Sequence, residues 1–389
     1  MRYKIGDLVE LVTEKNSDLK YGLADIVGVT LEKQMIPTIA NLTQTDLADF
    51  IIVSPGNFIY NPRTHGKKIG LGFNTTNRCF ISTWNNNTFR VKPHMENTVL
   101  PGFLYLHFLR ERWDKEACFH AWGSSTVVLL WSSFCEMGID VPPIEEQRKI
   151  VHDYQVITDR IALLRKMNEN LEEQAQIILN NALTNNSVAI MPLGEIADFI
   201  DGDRGKNYPT FNDFTLNGYC LFLSAANVTS TGFEFENCVF VTKEKDKAMN
   251  KGHLSRSDIV ITSRGTVGNV AFYDKHVPHE NIRINSGMLI VRPKAKHISP
   301  YFLHALLKSR YMKVAIEQFK SGSAQPQLPI KDLQKIKFLV PCDTLELQKL
   351  DTHLKVIQES ISLYNSELDL LKNLKADIIS IMNIQKNAT

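Results

Sequence analysis

Four short segments place basic and amide side chains at glycine-rich turns, where such side chains are suited to binding nucleic acid. An arginine can donate two hydrogen bonds to guanine, an asparagine can pair in bidentate fashion with adenine, and glycine lets the backbone approach a phosphate. The same residue types also populate ordinary surface loops, so composition alone does not decide between recognition and simple exposure. The four segments are NPRTHGKK (61–68), DGDRGKNYP (201–209), TSRGTVGN (262–269) and NIRINSG (281–287).

The sequence lacks the motifs of common enzymes that act on nucleic acids. An amino-methyltransferase needs a glycine-rich cofactor loop and an Asn/Asp-Pro-Pro-aromatic tetrad, and NPR at 61–63 is only a fragment of the tetrad. A Mg²⁺-dependent nuclease needs clustered carboxylates with a lysine, and a nucleotide site needs GxxxxGK[ST]; neither pattern is present. GTVG (265–268) fits the GxxG of an RNA-binding loop but is also an ordinary turn. We therefore predict a non-catalytic chain.

The histidines and cysteines do not suggest a metal centre. Their spacing does not match that of metal ligands, and none of the six cysteines forms a CxxC pair. Small buried apolar side chains are the simpler interpretation for cysteines in a reducing compartment. The sequence therefore predicts no metal site. The histidines without metal-ligand spacing are His253, His276, His279 and His297.

The sequence contains an internal repeat, in which similar segments recur in the same order at a nearly constant interval. GSSTVVLLWSSFCEMGIDVP (123–142) and GSAQPQLPIKDLQKIKFLVP (322–341) both open with Gly-Ser and close on Val-Pro, 199 residues apart. At the same offset, PGFLYLHFL (101–109) matches PYFLHALLK (300–308). At an offset of 201, two further segments end on Arg63 and Arg264. Conserved order and spacing predict two diverged copies of one unit.

A long segment with heptad spacing follows each Val-Pro and predicts a coiled-coil helix. Residues 144–183 and 344–386 contain neither proline nor glycine, so nothing interrupts either helix. An exposed apolar stripe must be covered, and the simplest solution packs the two helices on each other. A parallel pairing is possible, but we favour the antiparallel one, which relates the copies by a pseudo-twofold axis. The predicted seam residues are Ile150, Tyr154, Ile157, Ile161, Leu164, Leu171, Leu350, Leu354, Ile357, Ile361, Tyr364, Leu368 and Leu371.

Two polar residues, Asn168 and Lys375, also fall on this seam. Isolated polar seam residues can fix the register of a coiled coil, and they can equally mark fraying near helix ends.

Composition and patterning describe an ordinary globular α+β chain. Apolar residues make up 43% and charged residues 22%, which argues against wholesale disorder. In each copy, short strands and loops precede helical segments at 101–117 and 300–318, and residues 49–60 and 257–273 resemble hairpins. Residues 187–344 carry 20 Lys and Arg against 15 Asp and Glu, a modest excess that allows a polyanionic partner without requiring one. The sequence shows no membrane span and no signal peptide, so we expect a cytoplasmic protein.

These features together resemble the specificity subunits of type I restriction–modification systems. The resemblance extends over essentially the whole chain and is weakest over residues 15–90. It is carried by the two long helices and by DGDRGKNYP, LSRSDIVITSRGTVGN, RINSGMLIVRP, GSAQPQLPIKDLQKIKFLVP and WSSFCEMGIDVPPIEEQRKI.

The resemblance implies two target-recognition domains joined by two conserved helices in an antiparallel coiled coil. Each domain is expected to read one half of a bipartite, asymmetric site in double-stranded DNA. The helices are expected to set the length of the unread spacer and to dock two modification subunits, which resemble adenine methyltransferases. Restriction subunits that translocate DNA would join the full complex. S-adenosylmethionine, ATP and Mg²⁺ are therefore expected in partner subunits and not in this chain.

The expected boundaries and contacts follow from this resemblance. The first recognition domain would span 1–143, the central helix 144–186, the second domain 187–343 and the C-terminal helix 344–389. The expected DNA contacts are Arg63, His65, Lys67, Lys68 and Ser124 in the first half, and Arg204, Lys206, Arg264, Thr266, Asn269, Arg283 and Asn285 in the second.

Two other hypotheses remain open from the sequence. A duplicated coiled-coil adaptor that binds a protein or a glycan explains the helices equally well but explains the basic loops less well. A fused enzyme subunit conflicts with the missing cofactor and metal motifs.

Overall fold

The computed structural model divides the chain into two compact units. The first unit comprises Met1–Ile161 and Leu371–Thr389, and the second comprises Ala162–Leu370. No helix among the described residues has the length and apolar character needed to cross a lipid bilayer. The structure describes residues 1–38, 42, 45–65, 68–122, 127–185, 187–294, 298–319 and 326–382.

The elements that begin in the first unit alternate short strands and helices and end with a helix of 42 residues. They are β1 (Arg2–Lys4), α1 (Ile5–Leu8), β2 (Val9–Leu11), β3 (Val27–Val29), β4 (Met35–Pro37), β5 (Ile51–Val53), β6 (Phe58–His65), β7 (Lys68–Phe73), β8 (Phe80–Ser82), β9 (Asn87–Val91), α2 (Pro101–Phe108), α3 (Glu111–Phe119), α4 (Trp131–Glu136), β10 (Gly138–Asp140) and α5 (Ile144–Asn185).

The elements that begin in the second unit follow a similar order and end with a helix of 38 residues. They are β11 (Val188–Pro192), α6 (Leu193–Ile196), β12 (Ala197–Asp201), β13 (Cys220–Leu223), β14 (Val228–Thr229), β15 (Gly232–Phe233), β16 (Phe240–Val241), α7 (Lys243–Ala248), β17 (Ile259–Thr262), β18 (Val270–Phe272), β19 (Ile282–Ile284), β20 (Met288–Pro293), α8 (Pro300–Lys308), α9 (Arg310–Phe319), α10 (Ile330–Leu333), β21 (Lys337–Pro341) and α11 (Thr344–Ile381).

The central sheets of the two units have the same strand order, which confirms the predicted repeat. The first unit has the antiparallel order β2-β9-β6-β7 and the second has β12-β20-β17-β18. A separate antiparallel pair joins β1 to β10 and β11 to β21. The later strand of each pair immediately precedes a long helix, α5 or α11. The duplication seen in short sequence matches is therefore a duplication of topology.

The first unit's core is aromatic. The Phe58 ring of β6 lies 4.9 Å from the Phe89 ring of β9, and Phe89 lies 5.2 Å from Phe134. Phe108 meets Trp113 edge to face at 5.0 Å. Large rings in these geometries contribute packing beyond their buried area. These ring contacts hold β6 and β9 in place, and both strands lead to the candidate site.

The second unit's core is mainly aliphatic, and β17 is buried on both faces. Ile259 and Ile261 belong to the cluster beneath α8 and α9, whereas Val260 between them belongs to a cluster on the other face. Side chains alternate along a strand, so a strand covered on both sides reads as a continuous apolar run. This explains the sequence DIVIT at 258–262.

The long helices pair in antiparallel fashion within each unit. In the first unit, the Lys375 ammonium lies 4.7 Å from the centre of the Tyr154 ring, and Ile150 and Met382 pack on the same core. In the second unit, Asn168 Nδ2 donates to Asn365 Oδ1 at 2.8 Å. Further along, Leu179 shares a cluster with Leu347, Leu350 and Leu354. Residue numbers thus rise on α5 as they fall on α11, and the thirteen predicted seam side chains are buried or half-buried.

Two local expectations were wrong. Residues 49–60 do not form a hairpin, because β5 pairs with β8 while β6 pairs with β7 and β9. Gly56, with φ of +82°, lies in the turn between β5 and β6. The helical segments 101–117 and 300–318 are each broken in two, at extended residues Arg110 and Ser309.

Candidate nucleic-acid interface

Arg63 lies near the end of β6 and is held by backbone pairing to the segment after the Gly-Ser stretch. Arg63 pairs with Val128 in an antiparallel bridge. The Leu129 N–H donates to the Pro62 carbonyl at 2.7 Å. The Arg63 side chain is exposed and has no carboxylate within ion-pair distance in the part of the chain that the structure describes. Its guanidinium is therefore available to a ligand.

Arg264 occupies the corresponding place in the second unit. It follows β17 and pairs with Gln327, while the Leu328 N–H donates to the Ser263 carbonyl at 2.9 Å. The Arg264 N–H donates to the Gly287 carbonyl at 3.1 Å. This backbone arrangement reproduces that around Arg63, so the sequence match between the two arginines is also a structural match. The adjoining Gly-Ser segments 123–126 and 320–325 lie outside the described residues.

Three of the predicted contacts meet around the turn formed by residues 285–287. The Arg204 guanidinium donates to the Ser286 carbonyl at 3.3 Å and pairs with Asp201 at 3.0 Å. The backbone of Arg264 is bonded to the same turn, and Asn285 Oδ1 accepts the Gly287 N–H at 2.9 Å. The geometry therefore brings Arg204, Arg264 and Asn285 together although they are far apart in sequence.

The loop that carries Arg204 is held by the carboxylate of Asp203. Asp203 Oδ1 accepts the Gly205 N–H at 2.6 Å, and Oδ2 accepts the N–H groups of Asn250 and Lys251. The Gly205 N–H first, with the other two, holds the pKa of Asp203 below its ordinary value. The carboxylate stays ionised and fixes the backbone, leaving the Arg204 and Lys206 side chains exposed.

The remaining predicted contacts of the second unit differ in accessibility. Thr266 is exposed in the connection between β17 and β18. Asn269, half-buried in that connection, donates from Nδ2 to the Val228 carbonyl at 2.9 Å. Because Nδ2 is engaged in this bond, the amide oxygen of Asn269 is the side-chain group that is left to bind DNA.

The placement of Arg283 does not suit a DNA contact. Its side chain is buried, and its Nε and Nη2 groups donate to the Asp246 carboxylate and carbonyl at 2.8 and 2.9 Å. Nη1 donates to the Lys251 carbonyl. Because each of its three nitrogens donates to Asp246 or Lys251, the buried Arg283 stabilises the segment 246–251 and is not among the proposed DNA contacts. Sequence reasoning missed this because Asp246 lies 37 residues away.

In the first unit, the other predicted contacts are only partly described. Lys68 is exposed at the start of β7 and pairs with His65 across the hairpin. Nothing is described for the His65 side chain, and Lys67 and Ser124 lie outside the described residues. Arg63 and Lys68 are therefore the predicted first-unit contacts whose side chains the structure describes.

Trp122 is a candidate contact that sequence reasoning missed. Trp122 and Val128 exchange two backbone hydrogen bonds, at 3.0 and 2.9 Å, and Val128 in turn pairs with Arg63. Residues directly paired across antiparallel strands direct their side chains to the same face. Trp122, 74% exposed, therefore shares a face with Arg63. The available signal was an indole immediately before the Gly-Ser stretch.

One group of side chains has the chemistry of metal ligands. Ligand atoms of Cys220, Asp246 and His253 all lie within 4.8 Å of one another. Sequence reasoning predicted no metal site because these residues are separated by 26 and 7 positions, which matches no short motif.

Comparison with known proteins agrees with the repeat. A family model described as "Type I restriction modification DNA specificity domain" matches residues 1–173 and again 185–374. No curated protein sequence matches the chain significantly.

A solved structure shares its fold. The type I restriction–modification S subunit from M. genitalium is 17% identical with a TM-score of 0.60, and the match covers 98% of this chain and 95% of that one. The HsdS subunit from Thermoanaerobacter tengcongensis is 16% identical with a TM-score of 0.37, over 98% and 96% of the two chains. The double match of the family model over most of the sequence is decisive: this chain belongs to the type I restriction–modification DNA specificity family, and it confers DNA sequence specificity.

Proposed function

We propose that each recognition domain reads one half of a bipartite, asymmetric site in double-stranded DNA, and that the two long helices set the unread spacer. The observation that carries this proposal is the matched placement of Arg63 and Arg264 at the ends of corresponding strands. Two copies of one recognition surface with different neighbouring side chains are suited to reading two different short sequences.

We further propose that the chain is a non-catalytic subunit that docks two methyltransferase subunits. An apolar row on α11 supports docking. Val356, Leu363 and Leu370 recur every seven residues and are 60%, 52% and 70% exposed, although the opposite seam of the helix is already buried. Exposed apolar rows of this kind mark protein interaction surfaces.

The chemistry would then belong to partner subunits in the cytoplasm. Methyltransferase subunits would bind S-adenosylmethionine, and restriction subunits that translocate DNA would bind ATP and Mg²⁺. Basic and amide groups on this chain would hold the DNA in register while those subunits act.

Reconstitution tests this proposal. The chain is purified with its methyltransferase subunit, and binding and adenine methylation are measured on duplexes that carry both half-sites, either one, or neither. We expect tight binding and methylation only with both half-sites at one spacer length. Equal methylation of duplexes with one half-site, or of every spacer length, would contradict the proposal.

A further inference from the structure

Cys220, Asp246 and His253 converge from three segments of the second unit. Cys220 opens β13, Asp246 lies in α7, and His253 follows α7 and pairs with β19. The first two are buried, whereas the His253 side chain is 39% exposed. The group therefore has a protected interior and an opening to solvent through the imidazole.

The tautomer of His253 is set by the backbone. His253 Nδ1 lies 3.0 Å from the Leu254 carbonyl oxygen, which can only accept, so Nδ1 carries the proton. In the neutral ring, Nε2 then presents a lone pair. Nε2 faces Asp246 Oδ2 at 3.9 Å, too far for a hydrogen bond. Two such electron-pair donors at this distance can both bind one metal ion placed between them.

The Asp246 carboxylate is likewise oriented from outside. Arg283 Nε donates to Oδ1 at 2.8 Å, which leaves Oδ2 directed towards the histidine. Metal-binding histidines and carboxylates are typically held in this way, with the atom that is not a ligand engaged by a carbonyl or a charged donor.

The thiol completes the set. Cys220 is fully buried, and its Sγ lies within 4.8 Å of the ligand atoms of Asp246 and His253. A bound divalent cation supplies the positive charge that a buried thiolate needs, and the thiol proton passes to solvent on binding.

We propose that Cys220 Sγ, Asp246 Oδ2 and His253 Nε2 bind one Zn²⁺ ion, with a water molecule as the fourth ligand. Sulfur, imidazole nitrogen and carboxylate oxygen form a ligand set that suits zinc, whereas Ca²⁺ and Mg²⁺ take oxygen ligands. This site is separate from Arg63 and Arg264 and does not depend on the proposed function.

The role of the zinc site follows from the residues that surround it. The segment between Asp246 and His253 contains Asn250 and Lys251, whose N–H groups donate to Asp203 next to Arg204. Gly252, with φ of +87°, packs against the Gly202 backbone. A zinc ion that joins this segment to β13 would hold the loop that presents Arg204.

Metal analysis of the full chain in complex with its methyltransferase tests the proposal. We expect about one Zn²⁺ per chain after dialysis, and Co²⁺ exchange should give tetrahedral d–d bands with a thiolate charge-transfer band. His253→Gln changes a partly exposed side chain and should lose the metal while keeping the far-UV circular dichroism spectrum. Cys238→Ala, a half-buried thiol in the same unit, is the matched control and should keep it.

Wild-type protein that takes up neither Zn²⁺ nor Co²⁺, or a His253→Gln chain that retains the full metal content, would overturn the site. Loss of metal should also lower the melting temperature of the complex, and chelation should reproduce that shift in wild type but not in His253→Gln. A chain that binds zinc but ignores bipartite DNA would refute the proposed function and leave the metal site intact.

Discussion

Two arginines of the second unit show how the surroundings of a side chain decide its role. Arg264 is anchored through its backbone, with no carboxylate within ion-pair distance among the described residues. Arg283 is buried against Asp246 and uses its donors internally. A guanidinium with no internal partner on a fixed backbone is preorganised for bidentate recognition of guanine, whereas a buried one bonded to protein acceptors stabilises the fold.

Arg264→Ala should weaken recognition of one half-site. A bidentate contact to a base is worth about 1–3 kcal/mol, so the affinity for the cognate duplex should fall roughly 5- to 150-fold. Fluorescence anisotropy with cognate duplexes and duplexes substituted in either half measures this. Arg310→Ala removes an exposed arginine at the start of α9 and should leave binding unchanged. Unaltered discrimination at both halves in Arg264→Ala would remove Arg264 from the contacts.

Trp122→Ala should weaken binding through the first half-site. An indole on the face shared with Arg63 can pack on bases and sugars, and contacts of this kind contribute about 1–3 kcal/mol per base in single-strand complexes. We expect roughly a tenfold rise in Kd, in the lower part of that range. The control is Phe119→Ala, an exposed aromatic that lines a cavity with Met1 and Pro142. Equal effects of the two substitutions would show that Trp122 acts only as surface apolar area.

At the scale of elements, the coiled coil contains a polar pair. Asn168 is 9% exposed and donates to Asn365, and its own Oδ1 has no partner among the described residues. An isolated buried amide pair destabilises a seam relative to apolar packing, but it penalises any register that separates the two amides.

Asn168→Leu should therefore destabilise the protein, because Asn365 Oδ1 loses its donor within the seam. We expect a loss of about 1–3 kcal/mol in the free energy of unfolding, measured by urea denaturation. Asn168→Leu combined with Asn365→Leu should recover most of that loss, since no amide is then left unpaired. Additive losses in the double variant would argue that the two side chains do not interact.

The elements also show what the sequence could and could not predict. Heptad spacing and the absence of proline and glycine predicted both long helices, because their periodicity is local. The strands β5 and β6 were misassigned as a hairpin, because their pairing depends on β8 and β9, further along the chain. The breaks in the shorter helices at Arg110 and Ser309 interrupt no apolar periodicity, so the pattern gave no sign of them.

The sequence could also predict only part of the candidate site. The repeat placed Arg63 and Arg264 in corresponding positions because each ends a matched segment of the sequence, and each makes the corresponding backbone bridge in the structure. The burial of Arg283 and the convergence of Cys220, Asp246 and His253 depend on contacts between distant segments, for which sequence spacing gives no signal.

At the scale of the whole molecule, acid should destabilise the fold through His304. Burial first, with the nearby Lys308 charge, lowers the pKa of His304 to about 3. The unfolded chain binds a proton at this histidine near pH 6.5, whereas the folded chain does not until about pH 3. The contribution of His304 to the free energy of unfolding is therefore fully present above about pH 6.5. It declines by about 1.4 kcal/mol per pH unit as the pH falls towards 3.

His304→Gln removes this titration and should flatten the pH dependence of the unfolding free energy between about pH 4 and 6.5 relative to wild type. Urea denaturation of both proteins across this range measures the difference in slope. Parallel curves would show that His304 does not gain a proton on unfolding.

The division of recognition between two copied domains is tested most directly by mapping methylated adenines across the genome of a host that expresses the chain with its methyltransferase. Wild type should yield one bipartite motif with an unread spacer of fixed length. Arg63→Ala should relax only one half of that motif and Arg264→Ala only the other. A continuous motif, or relaxation of the same half by both substitutions, would contradict the account.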